Sequence, residues 1–321
     1  MAVRQRASTI CVLGGTGFVG RSLVALLVER GYRVRVPTRA PERHRDIWVL
    51  PGVARPTVDV HDEAALAAAL DGCNAVINLV GVLNERGRDG SEFERVHTLL
   101  AQKLVRACRR TAVRRVLQMS ALKADSRQGP SHYLRTKGRA EDAIKSAGDL
   151  AYTIFRPSVI FGPDDSFINR FARLLRWFWV LPLPRPAARF APAYVDDVAR
   201  AFAAALEDER THGRTYELCG PEIYSLEEIV RLIASTLRLR RLVWPLPDRL
   251  GRMQAWLGER LPGKPLSLDN FRSLSVASVC AENGFSALGI EPAALTALLP
   301  TALGRSARQR RLARLRSSTR A

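Results

Sequence analysis

The chain opens with an apolar, β-branched run, ASTICVLGG (7–15), that closes on glycine and predicts a buried strand. RSLVALLVERG (21–31) follows, with apolar residues at helical spacing and Gly31 as its stop. The alternation then repeats. YRVRVPTR (32–39), VARPTVDV (53–60), NAVINLVG (74–81), RRVLQMSA (114–121) and LAYTIFRPS (150–158) read as strands. EAALAAALDG (63–72), SEFERVHTLLAQKLVRACRR (91–110) and SHYLRTKGRAEDAIKSAG (131–148) read as helices. Strands alternating with helices predict the α/β class, a doubly wound parallel sheet with right-handed crossovers.

After about residue 157 the rhythm changes. FGPDDSFINRFARLLRWFWVLPLPRP (161–186) mixes a helix with a proline-rich loop, and VDDVARAFAAALED (195–208) is a helix. RTYELCG (214–220) is a short strand. SLEEIVRLIASTL (225–237) opens on Ser225 and Glu228 in capping-box spacing. The remainder to about residue 300 reads as short helices and Pro/Gly loops. The expected organisation is a sheet domain over 1–157, with 194–208 packing back on it. A smaller mixed α/β lobe for substrate or partner over 158–303 lies above the carboxyl ends of the strands. A basic, disordered tail covers 304–321.

Composition narrows the class. At 321 residues, 47% hydrophobic and 25% charged, the chain suits a globular protein with a sizeable core. No uninterrupted apolar run approaches the ~18 residues of a membrane span. The first residues, MAVRQRASTICVLGG, run straight from a short apolar segment into glycines, so a first strand is the better reading than a signal peptide. Cys11, Cys73, Cys108, Cys219 and Cys280 are scattered and odd in number. That argues against a disulfide framework or a metal site, and for a reducing, cytoplasmic compartment. The net charge is +19, but arginine outnumbers lysine 45 to 5, which points to compositional habit as much as to a binding surface. Charge is concentrated locally only in RSARQRRLARLRSSTR (305–320). With no recognition helix or aromatic-interleaved basic motif beside it, nucleic acid is not the expected partner.

Chemistry enters at the first turn. Gly14, Gly15, Thr16, Gly17, Phe18, Val19 and Gly20 stand between a strand and a helix at the start of an alternating chain. Such a loop turns tightly, admits a pyrophosphate with no Cβ in the way, and aims a helix N-terminus at the negative charge. This makes the sheet domain a Rossmann-type dinucleotide site. The second strand ends in VPTRAPER, with Thr38, Arg39 and Arg43 where an NAD site usually carries an acid. Guanidinium in that place suits a 2′-phosphate, so NADP(H) is preferred over NAD(H). Asp59 and Val60 are placed to border the adenine, and Asn78 to Gly81, including Val80, the ribose.

Ser120 ends the fifth strand, and ligands of doubly wound sheets bind beyond such ends. Ser131 is a suitable N-cap, which puts Tyr133 at the start of the next helix, with Lys137 on the same face four residues on. A free phenol has a pKa near ~10. A neighbouring ammonium lowers it, so that Tyr133 exchanges a proton with a substrate oxygen that Ser120 also hydrogen-bonds. The bland alternative for Tyr-x-x-x-Lys is an ordinary surface helix turn.

GGTGFVG (14–20), MSA (119–121), YLRTK (133–137), RPSVIFGP (156–163) and YVDDVARA (194–201) occur in the order found in extended or atypical short-chain dehydrogenase/reductases of the epimerase/dehydratase superfamily. The chain resembles that group over roughly residues 8–235. GGTGFVGRSLV, SALKAD, YLRTKGRAE, FRPSVIFGPDDSFINRFARL and PLSLDNFRSL make it most similar to the dehydrogenase-like accessory subunit of respiratory complex I and its bacterial relatives. The resemblance implies a tightly held NADPH, a catalytic set of Ser120, Tyr133 and Lys137, Arg39 at the 2′-phosphate and Pro157 beside the nicotinamide. His97 stands where many extended members carry asparagine. The mitochondrial relative is regarded as structural, so two classes stand side by side. One is an oxidoreductase on a carbonyl or hydroxyl substrate of a hydrophobic or quinone-like kind. The other is an accessory subunit that holds NADPH without turnover. A sugar-nucleotide epimerase is a third.

RFARLLRWFWVLPLP (170–184) combines arginines with Trp177, Phe178, Trp179 and Leu181. The pattern suits a membrane interface or a lipid-like substrate. It suits better a lobe helix packing its aromatics over the cofactor cleft. Trp244 and Trp256 are expected in the core of the lobe. Association peripheral to the inner membrane, or with a respiratory complex, is the partner expectation.

Overall fold

The structure, a computed structural model, describes residues 8–44, 49–261 and 264–304. The basic run 305–320 lies outside the described residues. In chain order the strands are β1 (Thr9–Leu13), β2 (Arg33–Arg35), β3 (Val53–Ala54), β4 (Ala75–Asn78), β5 (Arg115–Met119) and β6 (Ala151–Pro157). They continue with β7 (Ile160–Phe161), β8 (Val180–Pro184), β9 (Arg189–Phe190), β10 (Ala193–Tyr194), β11 (Arg214–Leu218), β12 (Tyr224–Ser225) and β13 (Leu242–Leu246). The helices used below are α1 (Phe18–Glu29), α2 (Glu63–Leu70), α3 (Ser91–Phe93), α4 (Leu100–Thr111), α5 (His132–Lys145), α6 (Phe167–Trp177), α7 (Val195–Glu207), α8 (Leu226–Thr236) and α9 (Asp248–Gly258).

Two compact units form. Among the described residues, the first comprises residues up to Ser158, with Val195–Cys219 and Cys280–Glu291, and the second Val159–Tyr194, Gly220–Val279 and Pro292–Gly304. The first unit holds a seven-stranded, wholly parallel sheet in the order β11-β6-β5-β4-β1-β2-β3. This is the doubly wound α/β architecture expected from the alternation, widened by β11. β4 and β5 are buried along their whole length, as strands covered on both faces must be. One face packs Cys11, Leu13, Val76 and Val116 against α2, α4 and α5. α1 and α7 pack on each other, and Phe202 of α7 meets Phe155 of β6 at 4.3 Å between ring centroids. Strand order reverses between β1 and β4, so a crevice opens at their carboxyl ends.

The long helix expected over 91–110 is interrupted. α3 passes into a π-helical stretch, Glu94–Leu99, before α4 resumes the ordinary pitch. Such wider turns are rare and gather at functional sites.

In the second unit Phe161, Ile168, Leu175, Leu181, Ile229 and Val243 belong to a separate core that joins α6, α8, β8 and β13. Ser225 and Glu228 form the reciprocal capping box at the start of α8. The proline-rich stretch after α6 is a strand. β8 pairs in parallel with β13, although Pro182, Pro184 and Pro245 lie within the ladder. A two-stranded pair uses only one edge of each strand, so a missing N–H on the other edge costs nothing. Trp244 and Trp256 are exposed, against the expectation that they fill this core. Strand alternation turns Trp244 away from its buried neighbour Val243, and Gly251, Ala255 and Gly258 occupy the inward face of α9 instead.

The cysteine reading is also corrected. Cys219 and Cys280 form a disulfide across 61 residues, with Cα atoms 6.0 Å apart. Asn283 Nδ2 donates to the Cys219 carbonyl at 2.8 Å, and the Ala281 N–H donates to Glu217 at 2.7 Å, stitching the returning segment to β11. Spacing along the chain is blind to such a long-range meeting, and an odd count still leaves room for one pair. Cys11, Cys73 and Cys108 are free. Alkylation of the denatured, unreduced protein should therefore label three thiols, and five labels would rule the bond out. Cys219→Ser should cost about 2–4 kcal/mol of stability, read from the urea midpoint.

Candidate active site

The glycine loop sits where β1 turns into α1. Gly14 has φ +76°, a left-handed conformation that favours glycine. A Cβ there would meet Leu79 and Val80 at the end of β4 at 3.1 Å. A Cβ on Gly20 would lie 2.2 Å from the Gly14 carbonyl, and one on Gly15 would lie 2.8 Å from Val36. The approach at Gly20 is backbone on backbone and leaves no room for a Cβ, and the positive φ of Gly14 disfavours any other residue there. Gly17 caps α1 without a side-chain hydrogen bond, so the first N–H groups of α1 keep their donor capacity. Thr16 turns its carbonyl to Arg21 Nε, while Phe18 and Val19 begin α1 half-buried. The cradle fits a dinucleotide pyrophosphate.

Around it, Arg39 and Arg43 are exposed just beyond the second strand, and neither has an ion pair among the described residues. Asp59 is exposed, with one carboxylate oxygen accepting the His61 N–H at 3.0 Å, and Val60 leans on the core. The Val80 N–H donates to the Asn78 side chain at 3.1 Å, which shapes the exit from β4. Pro157 ends β6, and its carbonyl accepts the Leu122 N–H at 3.1 Å.

Ser131 caps α5 by accepting the Leu134 N–H at 3.1 Å. Tyr133 and Lys137 then fall on one face, one turn apart. The Lys137 ammonium donates to the Met119 carbonyl at 3.2 Å, at the end of β5. A side chain on Gly81 would meet that ammonium at 3.1 Å. Burial pushes Lys137 down to about 8, with Glu141 opposing. Tyr133 departs from expectation. Its ring is half-buried between Phe93 and His97, and burial of the phenol pushes it up to about 12. Desolvation, not a neighbouring ammonium, sets the proton affinity of this phenol, against the expectation that Lys137 lowers it.

His97, carried by the π-helical turn, is locked neutral. Its Nε2 accepts the Val82 N–H at 3.2 Å, which leaves Nδ1 to donate to Thr136 Oγ1 at 2.9 Å. Burial first, and the Lys137 charge second, hold it well below the usual histidine range. Thr136 in turn donates to the Tyr133 carbonyl at 3.1 Å. His97 thus ties the loop after β4 to the first turn of α5.

The residue that sequence reasoning missed is Glu141. It is 1% exposed and receives the Ser120 hydroxyl at 2.6 Å, two bonds from Arg156 at 2.7 Å each, and Lys145 at 2.9 Å. Ser120 itself is 3% exposed, and its proton is committed to this carboxylate. Donation to a substrate oxygen would require that bond to be given up. The signal was a polar stripe, Tyr133, Lys137, Glu141 and Lys145, every fourth residue along one face of α5.

Burial raises the Glu141 pKa, but the Arg156 pairing, with help from Ser120 and Lys145, outweighs it and holds the carboxyl below its ordinary value. A depressed carboxyl contributes stability that is full above the unfolded pKa, near ~4.3, and is lost as pH falls through the folded value. Urea midpoints followed downward from neutral pH should fall across that window, and more shallowly in Glu141→Gln. Glu141→Ala should cost about 3–5 kcal/mol at neutral pH, because Arg156 keeps an unpaired, part-buried charge.

Comparison with known proteins bears on the nucleotide cradle. A family model described as NAD(P)H-binding matches residues 14–168. The mitochondrial NADH dehydrogenase (ubiquinone) 1 alpha subcomplex subunit 9 of Arabidopsis thaliana is 31% identical over 85% of this chain and 71% of its own length. A ceramide reductase of Caulobacter vibrioides is 30% identical over 74% of each chain. Among solved structures, a nucleoside-diphosphate-sugar epimerase of Staphylococcus aureus superposes with a TM-score of 0.73 at 19% identity, covering 91% of this chain and 99% of that one. The last likeness establishes the fold alone. The chain carries an NAD(P)H-binding domain and belongs to the family of the NADH dehydrogenase (ubiquinone) 1 alpha subcomplex subunit 9.

Proposed function

We propose that the protein is an NADP(H)-dependent oxidoreductase that reduces a carbonyl to a hydroxyl on a hydrophobic substrate. The observation that carries the reading is the pairing of Tyr133 and Lys137 on one turn of α5 beside the ends of β4 and β5. A phenol raised to about 12 is protonated at neutral pH and acts as an acid. Tyr133 gives its proton to the substrate oxygen as the carbonyl π bond breaks. A reduced nicotinamide cofactor held by the Gly14–Gly20 loop would supply the hydride to the carbon. Lys137, charged below about 8, stabilises the phenolate that remains until solvent returns a proton. Ser120 serves this reading as a positioning residue, joining β5 to α5 through Glu141. Arg39 and Arg43 support NADP(H), since no carboxylate stands at the tip of β2 and both guanidiniums are exposed there.

A second reading is an accessory subunit that holds NADPH in a respiratory complex without turnover. The Ser120 hydroxyl, already bound to Glu141, favours it, as does the Arabidopsis relative.

Under the first reading Tyr133→Phe should lower carbonyl reduction about 10²–10⁴-fold while NADPH is still retained. The wild-type rate should fall as pH rises above about 8, where Lys137 loses its charge. Retained NADPH that no carbonyl substrate oxidises, in wild type and variant alike, would favour the second reading. Arg39→Ala should weaken NADPH by about 1.5–3 kcal/mol, measured by titration calorimetry, and leave NADH unchanged. Equal losses for both would remove the preference.

A further inference from the structure

Tryptophan is a highly buried residue type on average. In this chain the described tryptophans do the reverse. Trp177, Trp179, Trp244 and Trp256 are 79%, 74%, 54% and 46% exposed, and all four lie in the second unit. The fifth, Trp48, is outside the described residues.

They belong to two neighbouring elements. The first is the β8–β13 pair, entered from the end of α6. Its inner face carries the cross-strand partners Leu181 and Val243, both buried. Its outer face carries the partners Val180 and Leu242, exposed by 44% and 63%. The second element is α9, tied to β8 by a 3.1 Å bond from Gln254 Nε2 to the Pro182 carbonyl. α9 turns Gly251, Ala255 and Gly258 inward and leaves Leu250, Met253 and Leu257, at i, i+3 and i+7, exposed. A surface helix ordinarily does the opposite.

The charge on these segments has one sign. Residues 173–180 and 238–261 hold eight arginines against two carboxylates, Asp248 and Glu259. Arg185 already pairs with Asp248. Arg241 lies over the Trp179 ring at 4.2 Å, and Arg260 over Trp256 at 3.5 Å. An indole places its ring among acyl carbons and its N–H among headgroups, while arginine lays its stem on apolar surface and reaches phosphate. Aromatic and protein interfaces share these residue types. The excess of arginine is what favours a surface of anionic phosphates.

We propose that residues 177–180, 242–244 and the outer side of α9 dock the protein on an anionic lipid bilayer as a peripheral contact. The inference stands apart from the chemistry assigned to the first unit.

Flotation of the full chain with phosphatidylcholine vesicles, with and without phosphatidylglycerol, at physiological salt tests it. Tryptophan emission with acyl-brominated lipids reports insertion, because the four described tryptophans all belong to the surface. Anionic vesicles should hold the protein roughly tenfold or more tighter than neutral ones, with emission quenched. Trp177→Ser with Trp179→Ser should remove the quenching and most of the binding. Arg249→Gln with Arg252→Gln should weaken anionic binding roughly tenfold or more. Both double variants should keep the wild-type urea midpoint and nucleotide binding. The proposal is overturned if anionic vesicles do not retain the protein. It is equally overturned if retention occurs without quenching, or survives both double variants, since another basic segment would then be the anchor. Self-association that the tryptophan variants abolish, without lipid binding, would assign the surface to a second copy and overturn it too.

Discussion

The turn between β1 and α1 has no room for one added methyl group. At Gly20 that methyl would press into the Gly14 carbonyl, and at Gly14 it would press on the backbone leaving β4. The seat of α1 on the sheet, the closeness of β1 to β4 and the open first turn of α1 all depend on this bare backbone contact. A bulkier loop would push α1 away from the strands and its N–H groups away from the crevice at the order reversal. Binding and folding therefore share one constraint.

The helix α5 is built under a second one. Its stripe of every fourth residue runs from Tyr133 and Lys137, beside the crevice, through the buried Glu141 to the exposed Lys145. The deeper half is an ion network that fixes β5 and β6 to the helix through Ser120 and Arg156. The upper half inherits that rigidity. His97 braces the same helix through Thr136 with a neutral ring, so it brings no charge to the first turn of α5. Desolvation keeps the proton on Tyr133, which suits a donor better than an abstractor.

Much of this was legible in the chain. Strands buried on both faces leave unbroken apolar runs, and the glycines of GGTGFVG mark the turn because nothing else fits there. Ser131 and Ser225 announced their helices as caps. What escaped were features set by long-range packing. A glutamate on a helix reads as a solvated residue until its partner Arg156 arrives from another strand. Pro182, Pro184 and Pro245 read as loop because isolated propensity does not know that a strand has an unused edge. Trp244 and Trp256 were assigned to the core by residue type, yet the small residues of α9 take the inward positions.

The meeting of Cys219 with Cys280 makes a covalent ring of the chain between them. That ring encloses residues 220–279, most of the second unit after α7, and it begins and ends on the first unit. A protease that cuts anywhere inside it leaves one molecule under oxidising conditions and two fragments once the bond is reduced. The excursion has the topology of an insertion stitched shut at its base, so its length and surface are free to change without moving the ends of the sheet that it leaves and rejoins.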